Sequence, residues 1–297
     1  MSIVAVGAYT RDLYMTCRRL PERGESVDGY EYAESHGGKA ANQAVAVARL
    51  GGKVHLITRL GRGRHGQEAL DLLKREGVNL RYVTRDDCPT GVSFIILDAD
   101  GQQFITTHAG SSGKLTADDV KGAEPALRQA SAILLQGEIE AEASMAAAGC
   151  AGERTRVILN PSPLETFAGL ESWSWVDLLI LNEPEGRNLL NGRAPTAGRV
   201  ATSLGIDSVV LTLGAEGAEV FYGGRSMRVP AEQADVVDTT GAGDVFCAAL
   251  AVALERGRTM EAAARWACRC ASFSVGRKYC IPSIPRESDV PEGSPIS

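Results

Sequence analysis

Short apolar, β-branched runs alternate along this chain with longer segments of helical period, and that alternation constrains the fold more than any other feature. Strands are predicted over residues 3–7, 54–58, 132–135, 157–160, 178–181 and 209–212, with helices over 40–50, 67–76, 141–150, 183–190 and 196–204. Strands separated by a helix pair in parallel, and a parallel sheet needs both faces covered. The expected class is therefore α/β, with three layers: helices, a mostly parallel central sheet, and helices again.

Two stretches break the rhythm. Residues 13–32, with Pro21 and Gly24 in the middle, and residues 92–107, turning at Asp98-Ala99-Asp100-Gly101, read as antiparallel hairpins. Four inserted strands cannot easily join the parallel core, so they are expected to form a small sheet over one edge of it, a lid built from segments of about 12–35 and 91–108. At 297 residues and 44% apolar, the chain is expected to form one domain over 1–297 carrying that lid. Residues 289–297, rich in Pro, Ser, Gly and acids, read as a frayed tail.

Composition narrows the partners. The net charge of −6 comes from interspersed acids and bases, so nothing would track a phosphate backbone, and nucleic acid is not an expected partner. Seven scattered cysteines do not make a disulfide framework, which suits a reduced cytosol; Cys268 and Cys270 read as small buried residues on a helix. The opening run 3–7 lacks the flanks of a signal peptide, and no stretch has the length of a membrane span, so a cytoplasmic location is expected. None of the four histidines has metal-ligand spacing: His36 could border a ligand pocket, His55 lies in a strand, and His65 is read as an exposed loop residue.

The chemistry is concentrated in a few strings. Asp238-Thr239-Thr240-Gly241-Ala242-Gly243-Asp244 runs straight into an apolar helical segment at 245–254. Small residues ahead of a helix let main-chain N–H groups converge on an anion, which the helix dipole also favours. Asp244, in the first turn, could take a proton from an alcohol attacking a bound phosphate. An isolated Gly-x-Gly-Asp would more simply be a turn and a helix cap. Gly37-Gly38-Lys39-Ala40-Ala41-Asn42 sets two glycines ahead of another helix, with Lys39 and Asn42 three apart on one face. Taken alone, this too could be a turn followed by a solvated lysine.

Together the strings resemble the two signatures of the ribokinase (PfkB) family of carbohydrate kinases, and the similarity runs from Val4 to Pro285. The resemblance implies a ribokinase-like fold and transfer of the ATP γ-phosphate to a sugar hydroxymethyl group. Asp244 would be the base, and N–H groups of Gly241, Ala242 and Gly243 would steady the moving charge. Sugar contacts would come from Thr10, Asp12, Gly38, Lys39, Asn42, Ser93, Thr107, Glu138 and Asp244. Nucleotide contacts would come from Asn182, Glu185, Thr212, Gly214, Gly217 and Gly243, with Glu185 orienting Mg²⁺ through water. A K⁺ site would draw oxygens from Asp238, Thr240, Ser274, Arg277, Tyr279 and Ser283, where Tyr279 replaces a usual glycine. A homodimer formed through the lid would cover its edge strands.

One motif competes with this reading. Gly61-Arg62-Gly63-Arg64-His65-Gly66 fits Gly-x-Gly-x-x-Gly between a strand and a helix, the pattern of a dinucleotide fingerprint, but a dehydrogenase would explain neither kinase string. Ribose is the expected sugar, although Thr10 stands where ribokinases carry Asn, and Ser93 and Thr107 where they carry apolar residues. Other pentoses, ketohexoses, 2-keto-3-deoxy acids and nucleosides are alternatives, as is a sugar-binding protein without catalysis.

Overall fold

The computed structural model describes residues 1–99 and 103–290. The strands are β1 Ile3–Val6, β2 Thr10–Cys17, β3 Gly29–Gly37, β4 Val54–Gly61, β5 Asn79–Asp86, β6 Thr90–Leu97, β7 Gln103–Gly110, β8 Ala132–Gln136, β9 Arg156–Asn160, β10 Leu178–Asn182, β11 Ser208–Thr212, β12 Ala218–Tyr222 and β13 Arg225–Val229. The helices are α1 Lys39–Arg49, α2 Arg64–Arg75, α3 Ala117–Lys121, α4 Glu124–Gln129, α5 Ala141–Gly149, α6 Glu183–Leu189, α7 Ala197–Leu204, α8 Ala242–Glu255, α9 Met260–Ser274 and α10 Cys280–Ser283.

Nine strands form the central sheet in the order β13-β12-β11-β10-β9-β8-β1-β4-β5. All neighbours from β11 to β5 run parallel, and only the edge pairs β11–β12 and β12–β13 are antiparallel. The α/β reading therefore holds. β1 and β8 are buried at every residue, the property of parallel strands covered on both faces. One apolar layer packs α1, α8 and α9 against the sheet, and a second packs residues of α3, α4, α5 and α7 on the other face. α8 is apolar nearly all round and lies between α1 and α9, with every residue from Asp244 to Ala253 buried. Cys268 and Cys270 are buried on α9, as expected.

The remaining four strands form a second sheet, β3-β2-β6-β7. β2–β3 and β6–β7 are antiparallel hairpins, and β2 and β6 join them in parallel, a junction that strand periodicity does not reveal. The expected turn at 98–101 lies partly outside the described residues. One rung crosses all four strands: Ser35, Asp12, Ser93 and Thr107 are successive register partners and share a face. The opposite face presents Met15, Tyr32, Phe94 and Phe104 to solvent.

Two expectations need correction. The segment read as frayed begins in order: Asp289 ends a turn of 3-10 helix, and buried Val290 accepts at its carbonyl from the Trp266 indole at 2.8 Å. Residues 291–297 lie outside the described residues. His65 sits in the first turn of α2 rather than in a loop, half-buried and 3.5 Å from Glu68. No helix among the described residues is long and apolar enough to cross a membrane.

Candidate active site

In a parallel sheet every strand delivers its carboxyl end to the same edge, and ligands bind in the crevice there. β1 leads into β2 and Asp12, β8 into Glu138, β10 ends at Asn182 beside Glu185, and β11 ends at Thr212 before Gly214. The N-termini of α1 and α8 supply the two glycine strings. Residues more than 200 positions apart therefore meet at one cleft.

Their meeting point is Asp244, 3% exposed in the first turn of α8. Its Oδ2 accepts from Nδ2 of Asn42 at 2.9 Å and its Oδ1 from Nε2 of Gln43 at 3.0 Å. Asn42 Oδ1 is buried with no partner among the described residues, which leaves an acceptor for a ligand hydroxyl. Lys39 opens α1, and its main-chain N–H donates to Oε2 of Glu138 at 2.7 Å. Burial works against the Lys39 charge, but Asp244, Glu138 and Glu185 hold its ammonium above the usual lysine range. Lys39 thus stands between acids that follow β8 and β10 and the acid of α8. Burial pushes Glu138 up to about 7 although Lys39 opposes it.

Asp12 is 6% exposed, and its Oδ1 accepts from the Thr10 hydroxyl at 2.8 Å. Burial raises its carboxyl to about 6, against the donation from Thr10 and Ser93. Ser93 Oγ lies 3.2 Å from Thr107 Oγ1, so hydroxyls surround this carboxylate, although Thr107 itself is exposed. Gly37 permits the arrangement, because a Cβ there would fall 2.1 Å from Asp12 Oδ2. Gly38 follows at φ 88°, against the backbone of Tyr9. His36 meets Tyr9 and Arg11 at this end of β3.

The α8 N-terminus departs from expectation in one donor. Gly241 caps the helix at φ 80°, pressed so closely on Cys280 that a Cβ would lie 2.1 Å from its Sγ. The Ala242 N–H donates to Thr239 O at 3.2 Å, so it is spent inside the turn. The N–H groups of Gly241 and Gly243 have no main-chain acceptor among the described residues. Gly243 has open space on its Cα, which faces a cavity of about 820 Å³.

That cavity is lined by Thr212, Gly214, Gly217 and Gly243 of the expected nucleotide residues. Its other walls were not anticipated: Ala231 to Val236 on one side, and Phe246, Cys268, Ala271 and Val275 as an apolar floor. Such walls act by shape and carry no motif. Asn182 and Glu185 do not line it. They form a capping box at the start of α6, with Asn182 N donating to Glu185 Oε2 and Glu185 N to Asn182 Oδ1, each at 2.8 Å. Glu185 still lies within charge range of Lys39.

The oxygens expected to hold a monovalent cation gather beside the cradle. Asp238 Oδ1 accepts from Thr240 N and Oδ2 from Tyr279 N, each at 2.8 Å, so this carboxylate ties the cradle to the segment before α10. Tyr279 adopts φ 65°, in the left-handed region that glycine prefers. The carbonyls of Ser274 and Tyr279 accept from Arg277 N and Ser283 N, one of the two lone pairs each.

Residues 1–287 match the pfkB family of carbohydrate kinases. The chain belongs to that family. It is 32% identical to a ribokinase of Mus musculus, over 98% of this chain and 94% of that protein. A solved ribokinase of Thermotoga maritima superposes with a TM-score of 0.88 at 29% identity, covering 97% of each chain. A ribokinase of Arabidopsis thaliana, solved with ribose and ATP, superposes with a TM-score of 0.85 at 31% identity, again over 97% of each. Kinase membership agrees with setting aside the dinucleotide reading of Gly61 to Gly66; Gly61 and Gly66 are packing glycines, since a Cβ on Gly66 would strike the carbonyl of Gly61 and one on Gly61 that of Cys88, whereas Gly63 has open space.

Proposed function

We propose that this carbohydrate kinase transfers the γ-phosphoryl group of ATP to the hydroxymethyl group of ribose. The observation that carries the reading is the convergence on Asp244, where the two glycine strings meet through Asn42 between a large cavity and the Asp12 carboxylate. ATP occupies the cavity, with its phosphates over Gly241 and Gly243. The sugar lies between Asp12, Glu138 and Asn42, whose acceptors match a polyol.

Asp244 accepts the proton as the hydroxyl oxygen attacks phosphorus in line, the bond to the ADP oxygen breaks, and ADP leaves. Lys39, held charged among three carboxylates, neutralises charge in the cleft. Preorganised N–H groups and one cation reduce the need for solvent to reorganise, which is where most of the rate enhancement arises. The four-stranded sheet acts as the lid of a single-domain enzyme and excludes water that would hydrolyse ATP.

The donor set fits Mg²⁺ held largely through its own waters. Glu185 has one oxygen outside the capping box, and no group of three or more His, Cys, Asp or Glu among the described residues could hold an ion directly. Bound there with ATP, Mg²⁺ would offset charge on the phosphates. The oxygens of Asp238, Thr240, Ser274, Arg277, Tyr279 and Ser283 suit a hard monovalent cation such as K⁺. The apolar outer face of the lid suits pairing with a second copy, giving a homodimer.

A coupled ADP-release assay tests the reading with ribose, other pentoses, ketohexoses, 2-keto-3-deoxy acids and nucleosides. Turnover should be fastest on ribose, and Asp244→Asn should lower it at least about 10²-fold while retaining the native circular dichroism. Preference for another sugar would reassign the substrate, and silence on the whole panel would leave binding without catalysis.

A further inference from the structure

Asp244 is held at both oxygens, and its second holder has a holder of its own. Gln43 donates from Nε2 to Oδ1 of Asp244 at 3.0 Å and accepts at Oε1 from Nε2 of Gln136 at 2.7 Å. Gln43 is 1% exposed and Gln136, at the end of β8, is 0% exposed. The direction of each bond follows from chemistry. An ionised carboxylate can only accept, so the amides of both Asn42 and Gln43 must turn their NH₂ groups toward Asp244. Gln43 then presents its oxygen away from Asp244, where a buried acceptor needs a donor, and Gln136 supplies it.

We propose that Gln43 and Gln136 form a positioning relay that fixes the orientation of the Asp244 carboxylate. Donors on separate oxygens hold the carboxylate plane against rotation, leaving the remaining lone pairs for the sugar hydroxyl. Gln136 has no bond to Asp244 and acts only by preventing the Gln43 amide from flipping, which would set oxygen against oxygen. Neither glutamine receives or passes a proton. The proposal rests on the reading of Asp244 as the base.

The test is steady-state kinetics of the full-length chain with ATP and ribose, or the best sugar of the panel. Gln43→Met should lower kcat by roughly tenfold to a hundredfold, the range expected for a misplaced catalytic group. KM for both substrates should hold, because neither glutamine touches them. Gln136→Met should lower kcat by less, again with both KM values held, and it provides the reading if Gln43→Met does not fold. Folded variants with wild-type kcat would overturn the relay, as would a loss confined to KM. Asp244→Asn separates the two layers. If it keeps wild-type turnover, the base assignment fails and the relay with it; if it is inactive while both glutamine variants match wild type, the relay alone fails.

Discussion

The ring of Tyr279 meets that of Tyr14 edge-on, with centroids 4.9 Å apart, although the Tyr279 backbone sits at φ 65°. Tyr14 lies on β2 two residues beyond Asp12, and Tyr279 is bound through its N–H to Asp238, which also holds Thr240. The contact therefore joins the sugar-side sheet to the segment that supports the phosphate cradle. A second link runs alongside it, with Lys278 Nζ 3.7 Å from Glu31 Oε1 on β3. The ion pair is exposed and contributes little; the aromatic pair is the firmer tie.

Tyr14 carries a hydroxyl into this contact, and its oxygen is buried with no hydrogen-bond partner among the described residues. Burial holds its pKa far above the usual phenol range. Tyr14→Phe keeps the ring and removes the unpartnered group, so stability should be unchanged or rise by up to about 1 kcal/mol. Tyr279→Gly relieves about 1–3 kcal/mol of backbone strain but forfeits roughly 0.5–1.5 of ring contact and more in unfolded-chain entropy, so it should come out near neutral. Chemical denaturation of both variants checks this. A loss of more than about 1 kcal/mol in Tyr14→Phe would mean that the hydroxyl is satisfied in solution.

Glu138 sets a pH dependence of stability with an unusual sign. Its carboxyl is raised from 4.5 to about 7, first by burial, with Asp244 and Asp12 adding to it and Lys39 opposing. Between these values the folded state binds more protons than the unfolded state, so this contribution is present below about pH 4.5 and is lost as pH rises through about 7. Paired carboxylates such as Glu76 are lowered and act in the opposite direction, so the difference between proteins is the clean measure. Glu138→Gln should gain stability relative to wild type as pH rises from 5 to 8, read from melting temperatures across that range. A pH-independent difference would contradict it.

The outer face of the small sheet gives a prediction about assembly. Phe94 and Phe104 are 52% and 65% exposed, with Met15 and Tyr32 beside them, an apolar patch on a sheet whose rim strands, β3 and β7, each pair on one side only among the described residues. Light scattering coupled to size exclusion should give twice the chain mass for wild type. Phe94→Asp should shift it to the monomer, because pairing would bury two carboxylates without partners. A monomeric wild type would remove the proposal.

What could be read from sequence follows burial. β1, β8 and β10 are apolar runs enclosed on both faces, and their pattern was sufficient to place them and to fix the parallel sheet. β13 lies at one edge of the sheet, where solvent admits arginines into Arg225–Val229, so it does not read as a strand. The two glycine strings were legible because their backbone geometry demands rare residue combinations. Gln43 and Gln136 were not, since a neutral amide at a helix or strand position signals nothing until its partners are placed. The Ala242 N–H was misassigned for a related reason: only coordinates reveal that Thr239 already uses it.

Gly241 and Gly243 look equivalent in the sequence and should behave differently when changed. Gly241 needs its φ of 80° and lies against Cys280, so Gly241→Ala meets both backbone strain and a collision with Sγ. That combination should cost about 2 kcal/mol or more, with turnover lost as the cradle shifts. Gly243 has no atom within 4 Å of where a Cβ would sit, and it faces the cavity. Gly243→Ala should therefore keep its melting temperature and the sugar KM, while the ATP KM rises, because the new methyl stands where the phosphates must approach. Parallel melts and kinetics on the two variants decide the matter: equal destabilisation would mean that Gly243 is structural, and unchanged ATP affinity would place the phosphates elsewhere.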